Sequence, residues 1–201
     1  MNSETIFRIT FWILLTGLWL MRVYFSRSTN RTADRSALDR NAIAREGRGL
    51  FIGRTVVVLF LAGLLVLYAL DSPWLKALSI PLPAWLRWAG FGLGLASLSL
   101  WTWAEAALGK QYSPLLHLHD QHKLVTWGPY ARIRHPMYAA MSGMGTAFAL
   151  VTANWPFALF AATLITGFVV RAPREERMLE TAFGDAYREY QDKTGRFFPK
   201  F

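Results

Sequence analysis

Cysteine is absent from this 201-residue sequence, which excludes disulfides, thiolate metal centres and a cysteine nucleophile. Charge is scarce: Asp, Glu, Lys and Arg make up 17% of the chain, against about 25% in soluble domains. Acidic residues are the scarcer sign, 13 against 22 basic, for a formal net charge of +9. From Pro136 to Val170 no charged residue occurs over 35 positions. Apolar residues fill the space, at 53%, with 9 Trp, 14 Phe and 7 Tyr. That aromatic load suits membrane–water interfaces, where amphipathic rings sit at headgroup level.

The basic excess does not point to nucleic acid, because Arg and Lys cluster between apolar runs and no segment carries a nucleic-acid motif. The first run, Ile6 to Phe25, has the ~20 residues needed to span a bilayer. Glu4 and the lack of an A-x-A site after Arg22 argue against a signal peptide. Ser26 to Arg54 holds seven arginines and reads as a polar cytoplasmic loop. Leu50 to Leu70 is the second run, and Pro73, Pro81 and Pro83 mark a turn-rich connection to the third, Leu82 to Leu108. Gly109 to Arg134 is polar. The charge-free stretch that follows would rise ~52 Å as one helix, so Asn154-Trp155-Pro156 is read as the break of a helical hairpin. Arg171 to Phe201 is charged again, with seven Lys or Arg. The expectation is an all-α polytopic membrane protein with about five transmembrane helices and an external N-terminus. Residues 1–108 supply three helices and a basic loop, and 109–201 form the site-bearing half of one integrated domain.

Gly90-Phe-Gly-Leu-Gly94 resembles a cofactor-binding glycine loop but has no strand before it, so it is read as a G-x-x-x-G helix-packing face. His117, His119 and His122 lie close in sequence, yet zinc wants four ligands and only His135 remains to add. No metal site is expected. Gly128-Pro129 forces a turn, and Pro136 opens a helix where its missing N–H costs nothing. Arg134 and His135 therefore stand at a helix N-terminus on the membrane boundary, a place that favours anions. The plainer alternative is a basic interfacial anchor. Glu175 and Glu176 lie where the apolar run ends and need water or partners.

Taken together, His122-Lys-Leu-Val125, Gly128-x-Tyr130, Arg134-His-Pro-x-Tyr138, Arg171 with Glu175-Glu176, and Phe183-Gly-x-x-Tyr187-x-x-Tyr190 resemble the isoprenylcysteine carboxyl methyltransferase family. The order and spacing match over roughly residues 109–201. The resemblance implies a helical membrane fold that encloses S-adenosyl-L-methionine on the cytoplasmic side. It implies a lipophilic acceptor that enters from the bilayer between helices. It assigns His122, Lys123, Leu124, Val125, Tyr130, His135, Pro136, Tyr138 and Glu175 to the cofactor pocket, and Arg171 to the substrate side.

The residue types fit such chemistry. Displacement at a sulfonium methyl needs positioning and a dry site. A carboxylate acceptor, with an unperturbed pKa near ~4, needs no base, and Arg171 would grip it with a forked pair. An amine acceptor such as a phospholipid headgroup must lose a proton, for which Glu175, Glu176 or His135 would serve as base. Arg171 and Glu176 are the expected catalytic residues. A sterol-type membrane reductase and a non-catalytic scaffold are the rival readings. Membrane lipids are the other expected partners, with no nucleic acid and no obligate protein. The expected location is a multi-pass position in the membrane, the inner membrane if the source is bacterial.

Overall fold

A computed structural model describes residues 3–28, 48–109 and 124–200. Every regular element among them is helical. They are α1 (Ser3–Ser28), α2 (Arg48–Ala69), a short α3 (Pro73–Ala77) and α4 (Ala84–Leu108). A single 3-10 turn (Gly128–Ala131) follows, then α5 (Pro136–Thr152), α6 (Trp155–Phe183) and α7 (Asp185–Lys193).

The first three apolar runs appear as α1, α2 and α4, each within three residues of its expected ends. By length and apolarity, α1 and α6 are able to cross a membrane, while the uninterrupted apolar part of α2 is shorter, Thr55–Ala69. The 17 residues of α5 rise about 26 Å, less than the ~30 Å hydrocarbon core. The structure thus supports an all-helical membrane fold, and of the five expected crossings two are clear by length and apolarity among the described residues.

The hairpin breaks where expected. Ala153 takes a left-handed conformation (φ 50°) after α5, and Asn154 is extended before Trp155 and Pro156 open α6. One expectation is corrected: the helix after this corner does not stop at Arg171. It continues as one 29-residue helix through Pro173 to Phe183. Proline forfeits one backbone bond there, but the following Arg-Glu-Glu-Arg-Met-Leu-Glu run is rich in helix formers. The helix ends instead at Gly184, whose φ of 54° suits glycine.

In the bundle α5 lies between α4 and α6, α1 covers α4 and α5, and α2 lies on α6. The glycines of α4 let it come close. A Cβ on Gly90 would stand 2.5 Å from the Leu150 Cβ, and one on Gly94 2.5 Å from a Leu14 methyl. The core between the helices is aromatic, with Phe11 packed on Tyr68, Phe148 and Phe157 at 4.7 to 5.6 Å between ring centres. Many apolar side chains, such as Ile13, Leu59, Leu159 and Val170, are exposed, as a lipid-facing surface requires.

One end of the bundle is sealed by ions. Arg87, 6% exposed, donates to the Val151 carbonyl at 3.0 and 3.1 Å and to both Glu4 oxygens, under the Phe7 ring. Asp71 binds Arg8 and Lys76, and the Asn154 amide donates to the Leu75 carbonyl at 2.6 Å. Exposed Trp74, Trp85 and Trp155 ring this end, while exposed Trp103 and Trp127 mark the other. Two aromatic belts are the signature of the two membrane interfaces.

Candidate active site

The site lies at the Trp103 and Trp127 end, where α6 carries its charges beyond the apolar hairpin. Pro136 is fully buried and starts α5, so the backbone leaves the Gly128–Ala131 turn and enters the helix through Arg132 to His135. That short segment is clasped by the tail. Arg134 N–H donates to the Gly195 carbonyl (2.8 Å), His135 N–H to the Arg196 carbonyl (3.0 Å) and Gly195 N–H to the Arg132 carbonyl (3.1 Å). Gly195 is required here, because a Cβ would collide with the Phe198 carbonyl. The Tyr190 hydroxyl adds a bond to the Tyr130 carbonyl at 2.7 Å. Burial pushes the phenols of Tyr187 and Tyr190 up, Tyr190 to about 12, so both stay protonated.

Glu176, 4% exposed, is the electrostatic centre. Arg134 Nε donates to Oε1 at 2.9 Å, and Arg196 donates from Nη2 to Oε2 at 2.6 Å and from Nε to both oxygens at 3.1 Å. The same carboxylate holds the Arg196 guanidinium above its ordinary value. His135 Nε2 lies 3.3 Å from Glu176 Oε1. Arg134 also donates to the Gln191 and Thr194 carbonyls. A carboxylate fixed by two guanidinium groups is strongly favoured in its charged form and is a weak base. The role of proton acceptor expected for Glu176 does not fit this geometry.

Beside this cluster three rings are layered. The imidazole of His135 is parallel to Tyr138 (5.2 Å, 2°), and Tyr138 is nearly parallel to Phe168 (4.5 Å, 12°). The Tyr138 hydroxyl donates to Glu175 Oε2 at 2.6 Å, and Arg171 approaches the same hydroxyl. Phe168, Arg171 and Glu175 are spaced i, i+3 and i+7, which puts them on one face of α6. His135, Tyr138, Arg171 and Glu175 are therefore brought together.

Tyr130 and Val125 fall in an adjoining apolar cluster with Ala104, Ala107 and Met137, on the α4 side of α5. Leu124 is half-buried beside them in sequence. His122 and Lys123 lie outside the described residues, as do His117 and His119. Among the described residues no three His, Asp or Glu gather to hold a metal ion. Sequence reasoning missed Phe168, Arg196 and Phe197. For Phe168 a signal existed in its helical spacing from Arg171 and Glu175; for Arg196 and Phe197 none did.

The profile of the family described as phospholipid methyltransferase matches residues 85–186, about half of the chain and most of the site. The chain belongs to the phospholipid methyltransferase family. It is 33% identical over 100 residues to the probable protein-S-isoprenylcysteine O-methyltransferase of Oryza sativa subsp. japonica, covering 48% of this chain and 52% of the relative. Over 110 residues it is 31% identical to protein-S-isoprenylcysteine O-methyltransferase B of Arabidopsis thaliana, covering 52% and 56%. The chain spans about half the length of the curated relatives it matches. Its fold is similar to that of a eukaryotic intramembrane Ras methyltransferase, an isoprenylcysteine carboxyl methyltransferase (TM-score 0.58, 21% identity, covering 94% of this chain and 67% of that one). The resemblance carried by Arg134-His-Pro-x-Tyr138 is thus matched by relatives and by fold. Membership of a methyltransferase family leaves the sterol-type reductase reading without support.

Proposed function

We propose that this membrane protein transfers the methyl group of S-adenosyl-L-methionine to a carboxylate of a lipophilic, isoprenylcysteine-like acceptor. The observation that carries the reading is the Tyr138–Glu175 hydrogen bond of 2.6 Å inside the layered rings, with Arg171 beside it. These residues fit the donor's chemistry. Glu175 is a carboxylate for its ammonium or ribose hydroxyls, and the ring faces suit its adenine and its sulfonium charge. The first turn of α5, which His135 does not cap with its side chain, favours its carboxylate. His122, Lys123, Leu124, Val125, Tyr130 and Pro136 complete the proposed pocket. When bound, the donor supplies an already activated methyl group.

The protein's own part is to hold and to exclude. Arg171 grips the acceptor carboxylate, and the apolar hairpin keeps water from the site. Such an acceptor needs no base, which agrees with a Glu176 already held by Arg134 and Arg196 and a Glu175 engaged by Tyr138. The acceptor's apolar part stays in the bilayer and enters between helices. The positive-inside rule applied to the basic segments supports a site on the cytoplasmic side of a multi-pass protein, in the inner membrane if the source is bacterial. No obligate protein partner is proposed.

Calorimetric titration of the detergent-purified protein with S-adenosylhomocysteine tests the donor. Glu175→Ala removes charge-assisted hydrogen bonds, so affinity should fall about ten- to hundredfold. Wild-type affinity in that variant rejects the assignment. Methyl transfer to a prenylated-cysteine analogue and to phosphatidylethanolamine tests the acceptor. Transfer to the amine lipid alone replaces the carboxylate reading with N-methylation.

A further inference from the structure

Resting on the donor-pocket reading above, we propose that Glu176 and Arg196 are positioning residues that fix the ring orientation and the tautomer of His135. The tail then forms part of the pocket wall. A carboxylate that is 4% exposed cannot stay charged without partners. Glu176 obtains them from Arg134 Nε at 2.9 Å and Arg196 Nη2 at 2.6 Å. An ionised carboxylate only accepts hydrogen bonds. His135 Nε2 lies 3.3 Å from Oε1 without an aligned hydrogen bond, yet a bare lone pair facing that charge would be repelled, so Nε2 is the nitrogen we infer to carry the proton. This leaves Nδ1 as an acceptor, suited to an ammonium or a hydroxyl of the donor rather than to its carboxylate.

The surroundings hold the ring in that pose. His135 is 7% exposed, parallel to Tyr138 at 5.2 Å, and Phe197 lies 6.0 Å away on the tail. Its own backbone N–H is bonded to the Arg196 carbonyl at 3.0 Å. One connected path thus runs from Arg196 through Glu176, His135 and Tyr138 to Glu175. Arg134 is further anchored by the Gln191 and Thr194 carbonyls, whereas the Arg196 side chain is 43% exposed. Arg196 is the member whose loss disturbs packing least.

The test uses the full chain with 15N-labelled histidine, assigned by His135→Asn, and follows S-adenosylhomocysteine affinity and the melting temperature in parallel. Wild-type His135 should show the Nε2–H pattern. Arg196→Ala and Glu176→Gln should convert it to a mixture, and Arg196→Ala should weaken S-adenosylhomocysteine by about tenfold. Arg196→Lys should restore part of both. A merely structural Arg196 would lower the melting temperature and leave the nitrogen pattern of the folded protein unchanged. If Arg196→Ala fails to fold, Arg196→Lys and Glu176→Gln, which preserve size, decide. A wild-type Nδ1–H pattern overturns the proposal, as does an unchanged pattern with unchanged affinity in the folded variants. Wild-type protein that binds no S-adenosylhomocysteine, yet shows an Nε2–H pattern that Glu176→Gln alters, removes the donor reading and keeps the positioning of His135.

Discussion

Arg22, near the end of α1, donates from Nη1 to Glu105 Oε1 of α4 at 2.8 Å, and the Glu105 side chain has no exposed surface. A carboxylate so deep in an apolar helix requires this neighbour. Losing one partner of a fully buried pair costs about 3–5 kcal/mol. The Arg22 side chain is 38% exposed, so Arg22→Ala should destabilise by roughly 3 kcal/mol or less. Glu105→Gln, which removes the charge and keeps the shape, should cost less. Denaturant unfolding of the detergent-purified variants checks the order. Arg22→Ala as stable as wild type would contradict it.

Gly90 and Gly92 separate close packing from mere helix content. A Cβ on Gly90 meets Leu150 at 2.5 Å and the Val151 backbone nitrogen at 3.3 Å, whereas Gly92 has nothing within 4 Å. Gly90→Ala should therefore cost about 1–3 kcal/mol by pushing α4 away from α5. Gly92→Ala should be neutral or stabilising by up to ~1 kcal/mol, through helix propensity. Thermal unfolding of the two variants side by side gives the answer, and equal effects would reject the packing face.

The α5–α6 corner was legible in the sequence because Asn154, Trp155 and Pro156 carry local instructions for starting a helix. The three earlier helices were legible from apolar length alone. The continuation of α6 past Arg171 was not, since proline and a sudden rise in charge are the ordinary marks of an ending. Nothing local says that the surface of α6 beyond that point is packed by α7 and the tail. The same limit hid Arg196. Its partner Glu176 lies 20 residues away, and the backbone clasp that places it joins Gly195 to Arg132 and Arg134. Glu175 and Glu176 carry different roles in the sequence reading, but only the fold gives one to Tyr138 and the other to two arginines.

Arg171 distinguishes the kind of group methylated. With an acid acceptor, Arg171→Ala should lower turnover about ten- to hundredfold, the worth of a charge-assisted pair, while donor affinity changes less. Arg171→Lys should recover little, because an ammonium lacks the planar two-point grip. Single-turnover assays with donor titration in parallel measure both. Full turnover on an acid acceptor by Arg171→Ala would exclude the proposed role.

Orientation is open to a direct assay. Reporter fusions after Arg48 and after Phe201 should both report from the cytoplasm, because the arginine-rich loop and the basic tail resist translocation. An external signal from either fusion contradicts the proposed topology.

The clasp between Arg132–His135 and Gly195–Arg196 also sets an order in time. Its two halves are about sixty residues apart, the separation at which Arg134 meets the Thr194 carbonyl. Between them lie both arms of the apolar hairpin and all of α7. The tail half of the clasp is thus synthesised after both arms of the hairpin, and the mouth cannot close before that tail has been made. A nascent chain arrested short of Thr194 holds the aromatic and acidic side chains of the site without the strap behind them. The few residues that fold back from the tail complete the wall of the site.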